Sequence, residues 1–228
     1  MSEGSEVVER AMRYPYAVPA RSFVQVGHDT LAPDEVEIDL ERRSRLLVYG
    51  SNGSPEVLAR KLALSAEPVL VEPAWLHDFD VVYSAHISPY GAIPATLQRS
   101  PGTTVRVAVV HLTAEQLRLV SATEPNYDLV AFGPVSCELP GAETVTQASV
   151  YLSRHGCLVL DGAEAALVAV PARERRFAEL SEPQVLERLR ARLCPEESVD
   201  NFVLGNVTDP GLAQLRTARL ESRRLRPR

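Results

Sequence analysis

The alternation of apolar and polar positions predicts a strand, a turn and a helix in succession near residue 50. Residues 45–49 form a short apolar run, and a turn of Gly, Ser and Asn follows it at once. Ser54 is a natural helix N-cap, and Pro55 suits the first helical position. The apolar residues after Pro55 recur at helical spacing. The turn is therefore expected at a junction between a strand and a helix.

The middle of the chain is rich in strand-like patterns. Residues 95–99 and 105–112 are predicted as two strands, which the Ser-Pro-Gly turn at residues 100–102 joins into a hairpin. An Asp-Gly pair at residues 161–162 predicts another turn. Strands clustered in the middle with scattered helices favour an α+β fold over a doubly wound one. Further strands are predicted at residues 22–26, 129–137, 145–152 and 165–170.

Two capping boxes mark the starts of helices. Thr113 with Gln116 begins a helix that should run to about residue 122, so Glu124 falls just beyond its end. Ser181 with Gln184 begins a second helix, through about residue 193. Two further helices are predicted, one after Ser5 and one after Asp209 and Pro210.

Composition narrows the class of protein. The 228 residues are 45% hydrophobic and 24% charged, which is enough apolar sequence for a sizeable core. The net charge of -6 argues against nucleic acid as a partner, because phosphate backbones attract basic surfaces. The first residues are acidic and no run of about 18 apolar residues occurs. A cytoplasmic protein with no membrane partner is therefore expected.

The spacing of cysteine, histidine and acidic residues does not suggest a metal site. No CxxC or Cys/His ligand spacing relates Cys137, Cys157 and Cys194, so reduced thiols are expected. His77 and Asp78 are neighbours on a predicted strand whose faces alternate, so they point in opposite directions. Neither a metal nor a cofactor is expected.

The turn at residues 50–53 has the features of an anion-binding loop. A loop of small residues between a strand and a helix exposes backbone N–H groups where the helix dipole favours an anion. Better-known loops do not match, since a P-loop needs a lysine, a dinucleotide loop needs spaced glycines and a nucleophile elbow needs glycines around its serine. An anion site and a plain structural turn are both compatible with these residues alone.

Four segments match, in sequence order, the pattern of a known superfamily. Residues 48–52 (VYGSN) look like its YGSN signature, and residues 74–83 look like its second strand. Residues 91–102 are similar to its glycine-alanine strand and the turn that follows. Residues 113–124 are similar to its short helix ending in an acidic catalytic residue, here Glu124. Together these segments resemble the γ-glutamylcyclotransferase-like superfamily, and the match covers about half of the chain.

The resemblance implies a fold and a division of the chain. The family's fold is a small mixed β-barrel flanked by helices, with a pocket at one end. Residues 45–170 would form this barrel domain. Residues 1–44 would be an N-terminal accessory segment, and residues 171–228 would be a C-terminal helical extension.

The resemblance also implies a set of site residues. Glu124 would be catalytic, and Tyr127 would bind substrate one residue closer to the acid than the family's tyrosine. The remaining substrate-binding residues would be Tyr49, Gly50, Ser51 and Asn52.

These residues suit the chemistry of a cyclotransferase. In a γ-glutamyl substrate the α-amino group and the γ-carbonyl belong to one molecule, so forming 5-oxoproline needs proton transfer but no enzyme nucleophile. Glu124 would accept a proton from the α-amine and return one to the leaving amine. The N–H groups of residues 50–52 would hold the α-carboxylate or the developing oxyanion. The predicted reaction acts on a γ-glutamyl-type small molecule and releases an amine or amino acid.

Two other interpretations stand beside this one. A non-catalytic member of the same fold could keep the pocket and bind a small molecule or another protein. A serine hydrolase is the second alternative, because Ser84, His86 and Ser88 alternate on one face of a possible strand, although no partnered acid is identifiable.

Overall fold

Six α-helices and fourteen strands form the part of the chain that the structure describes, residues 3–141 and 143–224 of a computed structural model. The helices are α1 (Glu3–Met12), α2 (Pro55–Lys61), α3 (Ala114–Ser121), α4 (Glu182–Leu193), α5 (Val199–Thr208) and α6 (Pro210–Thr217). The strands are β1 (Phe23–Val26), β2 (Asp29–Leu31), β3 (Ser44–Val48), β4 (Val69–Tyr83), β5 (Ala95–Leu112), β6 (Tyr127–Phe132), β7 (Cys137–Glu138), β8 (Thr144–Val145), β9 (Ala148–Ser153), β10 (Cys157–Leu160), β11 (Ala163–Leu167), β12 (Ala172–Arg173), β13 (Ala178–Leu180) and β14 (Ser222–Arg223).

A long antiparallel ribbon of β4 and β5 forms the centre of the sheet. The two strands pair from Leu70 with His111 to Tyr83 with Ala95. Their apolar residues point to both faces and are mostly buried, as expected for strands covered on each side. The loop of residues 84–94 joins the two strands, and its position at the end of the ribbon matters for the site.

The predicted hairpin at residues 95–112 is wrong, because these residues form the single strand β5. Both arms of the expected hairpin pair with the same partner, β4. The Ser-Pro-Gly triplet lies at a β-bulge, where the pairing register shifts between His77 and Phe79. At this irregularity Gly102 has φ 85° and Asp78 has φ 64°. The Gly102 N–H donates to Asp78 Oδ1 at 2.8 Å. Glycine is needed here because it adopts positive φ without a steric penalty, and the triplet bends a strand instead of reversing the chain.

Two other predicted strands are each divided in the structure. Residues 129–137 overlap β6 and β7, which are separated at Gly133 and Pro134 because proline has no N–H to give to the ladder. Residues 145–152 overlap β8 and β9, which are separated by two residues. The strand predicted at residues 22–26 and the turn at residues 161–162 are confirmed as β1 and the β10–β11 turn.

The sheet is mixed and curls into a half-barrel. Its main path runs β6, β9, β3, β5, β4, β11, β10 and β14. The pairs β3–β9 and β11–β13 are parallel, whereas the other pairs are antiparallel. Because neighbouring strands are rotated by their right-handed twist, a path of this length closes partly on itself. The α+β prediction with a curled, barrel-like sheet is confirmed.

Helices α2, α3, α4 and α6 begin where the capping residues predict, whereas α1 begins at Glu3, before the predicted start at Ser5. Thr113 accepts the N–H of Gln116 at the start of α3, and Ser181 accepts the N–H of Gln184 at the start of α4. The side chains of Gln116 and Gln184 accept the backbone N–H groups of Thr113 and Ser181 in return, which completes each capping box. Helix α5 was not predicted, because its sequence VDNFVLGNVT contains a glycine, two asparagines and several β-branched residues of low helix propensity. Packing stabilises it, since Phe202 and Val203 are fully buried.

Strands near both ends of the described part of the chain join the central sheet. Strand β1 pairs with β4, and helix α1 packs against α5. Near the other end β14 pairs with β10. The division into segments 1–44, 45–170 and 171–228 stays a prediction. Within the described residues, no helix combines the length and apolarity needed to cross a membrane.

Candidate active site

A cavity of about 610 Å³ opens beside the end of β3. Its walls come from the loop after β3, the loop between β4 and β5, the residues that follow α3, and the segment between α1 and β1. Tyr49, Gly50, Ser51, Asn52, Glu124 and Tyr127 all line it. The structure therefore brings together all six residues that the sequence singled out.

The loop after β3 approaches its neighbours too closely for a side chain at residue 50. A Cβ atom on Gly50 would lie 2.8 Å from the hydroxyl oxygen of Tyr14. That hydroxyl is fixed, because it accepts the Ala95 N–H at 2.8 Å. Ser51 begins a short 3-10 turn that leads into α2. Glycine at residue 50 thus lets the segment before β1 pack directly on the loop.

Glu124 lies in a turn directly after α3, and two donors fix its carboxylate. Its N–H donates to the carbonyl of Ser121, which continues the last turn of the helix. Asn52 Nδ2 donates to Glu124 Oε1 at 2.9 Å, and Lys61 Nζ lies 2.5 Å from the same oxygen. The side chains of Lys61 and Glu124 are only 11% and 13% exposed. Among the described residues no hydrogen bond ends on Oε2, so this oxygen is available to a ligand.

Lys61 was missed by the sequence analysis. It is the last residue of α2, where a basic side chain normally favours the negative end of the helix dipole. A lysine in that position carries no signal of a site. Only the fold brings its ammonium group to Glu124, 63 residues further along the chain.

Tyrosines form much of the cavity wall. The sequence contains seven tyrosines, and six of them line the cavity: Tyr14, Tyr16, Tyr49, Tyr90, Tyr127 and Tyr151. The hydroxyl of Tyr127 donates to the Ala95 carbonyl at 2.8 Å, and that of Tyr49 donates to the Tyr151 carbonyl. Burial raises the pKa of Tyr49 and the pKa of Tyr127 above the usual value for a phenol. Both rings are therefore neutral walls at physiological pH, and neither hydroxyl can serve as a base.

A histidine that the sequence analysis left among the alternatives also lines the cavity. His86 lies in the loop after β4, not on a strand, and its Nδ1 is 2.8 Å from Ser84 Oγ. Burial, with a smaller contribution from His155, lowers the pKa of His86 to about 3. No acidic side chain bonds to this histidine among the described residues, so a complete serine hydrolase triad is not formed there.

No protein-family model matches the sequence, and a search of curated proteins gave no match. A search of solved structures matched a γ-glutamyl cyclotransferase, at 15% sequence identity and a TM-score of 0.38, over 79% of this chain and 89% of the other. A yeast γ-glutamyl cyclotransferase specific to glutathione has 13% identity and a TM-score of 0.35, over 74% and 96% of the two chains. An Arabidopsis thaliana protein has 22% identity and a TM-score of 0.40, over 51% and 72%.

Two of these structures thus carry the name γ-glutamyl cyclotransferase. Identity of 13–22% with TM-scores of at most 0.40 is too low for the activity of these enzymes to be transferred. What the present chain can do is therefore derived from its own cavity.

Proposed function

We propose that this protein is a cyclotransferase that converts a γ-glutamyl-type small molecule into 5-oxoproline and a free amine or amino acid. One observation carries the proposal: the Glu124 carboxylate faces the same cavity as the Gly50–Asn52 loop, and Asn52 joins the two by a hydrogen bond of 2.9 Å. A proton acceptor and a group of polar donors thus stand within reach of one small ligand.

The proposed reaction moves two protons from one nitrogen to another. The α-ammonium of the substrate gives a proton to Glu124, and the resulting amine attacks the γ-carbonyl carbon. A ring C–N bond forms, the ring nitrogen loses its second surplus proton, and the bond to the leaving nitrogen breaks. The leaving nitrogen gains both protons and departs as an ammonium ion. Glu124 carries the protons one at a time. Such general acid–base catalysis raises the reaction rate by roughly 10²- to 10⁴-fold.

The walls of the cavity suit a substrate that must curl. A bound substrate whose α-amine is held against the γ-carbonyl no longer samples extended conformers. This orientation can lower the activation free energy by up to about 7–11 kcal/mol. The rigid tyrosine rings supply a curved apolar boundary, while Arg60 and Lys61 supply positive charge for the α-carboxylate. The cavity volume of about 610 Å³ also leaves room for the leaving amine beside the glutamyl part.

The test is formation of 5-oxoproline from a panel of γ-glutamyl amines and γ-glutamyl dipeptides, detected by mass spectrometry. We expect Glu124→Gln to lower kcat/KM by at least about 100-fold, because the amide cannot accept the proton. Glu115→Gln, an exposed position in the first turn of α3, is the matched control and should keep the activity. Full activity of Glu124→Gln on an accepted substrate would refute the catalytic role.

A non-catalytic binding domain is the second candidate, and the Lys61–Glu124 ion pair favours it. Lys61 Nζ lies 2.5 Å from Glu124 Oε1 and both side chains are mostly buried, so the carboxylate already has a charged partner before any substrate binds. A protein that binds 5-oxoproline, measured as a rise in Tm, but forms none from the panel belongs to this second class. Turnover of any member of the panel excludes it.

A further inference from the structure

A buried chain of hydrogen bonds runs from strand β9 to the cavity wall. Ser153 Oγ lies 2.6 Å from Ser84 Oγ, and Ser84 Oγ lies 2.8 Å from Nδ1 of His86. The three side chains come from residues that are at most 6% exposed. Ser153 Oγ also accepts the backbone N–H of His155 at 3.0 Å.

Only one arrangement of hydrogen atoms satisfies this chain. If His86 Nδ1 carried the proton and donated to Ser84, Ser84 would donate to Ser153, and the Ser153 hydroxyl would have no acceptor among the described residues. A buried donor without a partner costs about 1–3 kcal/mol. In the reverse direction Ser153 donates to Ser84, Ser84 donates to Nδ1, and each hydroxyl is satisfied. His86 then carries its proton on Nε2.

We infer that the Ser153–Ser84 chain holds His86 as the Nε2–H tautomer, so that its Nε2–H is a fixed, uncharged donor that selects a carbonyl oxygen of the ligand in the cavity. His86 lines the cavity, and among the described residues no hydrogen bond ends on Nε2. This inference rests on the proposed function for the identity of the ligand. The oxygen concerned is then the γ-carbonyl oxygen, which becomes the lactam oxygen of 5-oxoproline.

The surroundings of His86 keep the ring neutral. The ring of His155 stacks on it with centroids 4.6 Å apart, and Tyr127 meets it edge-on at 5.6 Å. Burial lowers the pKa of His86 to about 3 and also lowers the pKa of His155, beside which Arg154 adds positive charge. A neutral, buried donor suits an uncharged oxygen, whereas the cations Arg60 and Lys61 in the same cavity suit a carboxylate. His86 is thus a specificity-determining residue and not an acid or base.

The tautomer is tested on the wild-type protein without any ligand. We expect the ¹⁵N NMR shifts of the His86 ring to show a proton on Nε2 and a bare Nδ1, unchanged between about pH 5 and pH 8. A proton on Nδ1, or an imidazolium ion in this pH range, overturns the inference. Ser84→Ala removes the donor to Nδ1 and should produce a mixture of the two neutral tautomers.

The recognition of a carbonyl oxygen is tested with two carboxylates that differ in one heavy atom, the ketone oxygen. The wild type should bind 3-oxocyclopentanecarboxylate roughly 3- to 10-fold more tightly than cyclopentanecarboxylate, as one hydrogen bond allows. In His86→Phe this ratio should fall to about 1. His155→Phe is the control, because it keeps a stacked ring and His155 does not line the cavity, and it should keep the wild-type ratio.

Each result bears on one proposal only. A wild type without any preference for the ketone, or an unchanged ratio in His86→Phe, overturns the role of His86 even if 5-oxoproline is formed from the panel. If His86→Phe does not fold, Ser84→Ala replaces it and should lower the ratio, and an unchanged ratio again overturns the inference. If the wild type prefers the ketone but forms no 5-oxoproline from the panel, only the proposal of cyclotransferase activity is overturned.

Discussion

Glu124 is held by two donors of different kinds, the ammonium of Lys61 and the amide of Asn52. The amide joins the acid to the loop after β3, and the ammonium fixes one carboxylate oxygen. The second oxygen stays available, which is the geometry that a proton acceptor needs. Lys61 therefore positions the carboxylate.

The coupling of this pair can be measured by a double-mutant cycle. Lys61→Met should lower the free energy of unfolding by about 1.5–3 kcal/mol, because it removes a charged hydrogen bond and leaves a mostly buried carboxylate with one donor fewer. The double variant Lys61→Met/Glu124→Gln should lose less unfolding free energy than the sum of the losses in the two single variants. The difference, which is the coupling energy, should be about 1 kcal/mol or more. Chemical denaturation of the four proteins gives these values. Additivity within about 0.5 kcal/mol would mean that the ion pair contributes no net stability.

A carboxyl group on helix α4 is hydrogen-bonded to the loop of residues 84–94. Glu182, in the first turn of α4, accepts the N–H of Ile93 on Oε1 at 2.6 Å. Its Oε2 is buried and has no hydrogen-bond partner, and the residue is only 3% exposed. Burial raises the pKa of Glu182 well above its ordinary value of 4.5, an effect that the bond from Ile93 only partly offsets. The loop that carries His86 is thus anchored to a carboxyl group that favours its protonated form.

This anchor predicts a dependence of stability on pH. Between pH 4.5 and the raised pKa, folded Glu182 holds a proton that the unfolded chain has lost, so stability falls as the pH rises through this interval. Glu182→Gln is neutral at every pH and still accepts the Ile93 N–H. We expect it to be more stable than the wild type at pH 8, by about 1–3 kcal/mol, and to lose this advantage at pH 4.

Denaturation curves at the two pH values measure the effect. Glu187→Gln, on an exposed position of the same helix, should keep the wild-type dependence. If the stability of Glu182→Gln depended on pH as strongly as that of the wild type, Glu182 would be ionised in the folded protein at neutral pH.

At the level of elements, local patterns predicted the starts of helices better than the ends of strands. The capping boxes at Thr113 and Ser181 hold because their bonds are made within one turn. The Ser-Pro-Gly triplet at residues 100–102 was misread because turn chemistry describes a local bend and carries no information about pairing partners. Both flanks of this triplet pair with β4, and that pairing determines the outcome.

Across the whole molecule, the segment between α1 and β1 completes the cavity. Tyr14 and Tyr16 from this segment line it, and the Tyr14 hydroxyl accepts the N–H of Ala95 at the start of β5. Tyr83 makes a comparable bond elsewhere in the core, since its hydroxyl donates to the Leu180 carbonyl at 2.9 Å. The two tyrosines therefore offer a matched comparison.

We expect Tyr14→Phe and Tyr83→Phe to lower the free energy of unfolding by similar amounts, about 1–3 kcal/mol, because each leaves one buried backbone group without its partner. Only Tyr14→Phe should weaken the binding of 5-oxoproline, measured by calorimetry, because only Tyr14 lines the cavity. Equal affinities in the two variants would mean that the Tyr14 hydroxyl takes no part in ligand binding.

The sequence by itself determined the α+β class, the starts of helices α2, α3, α4 and α6, and the strand–turn–helix junction at residue 50, because each of these depends on neighbours within a few positions. It also singled out the loop and Glu124, although 72 residues separate Asn52 from the acid. Only the tertiary structure placed Lys61 on Glu124, His86 on the Ser84–Ser153 chain and Tyr14 against Gly50. These contacts join segments that are distant in the chain, and their distances follow from the pairing and curvature of the sheet, which no local pattern encodes.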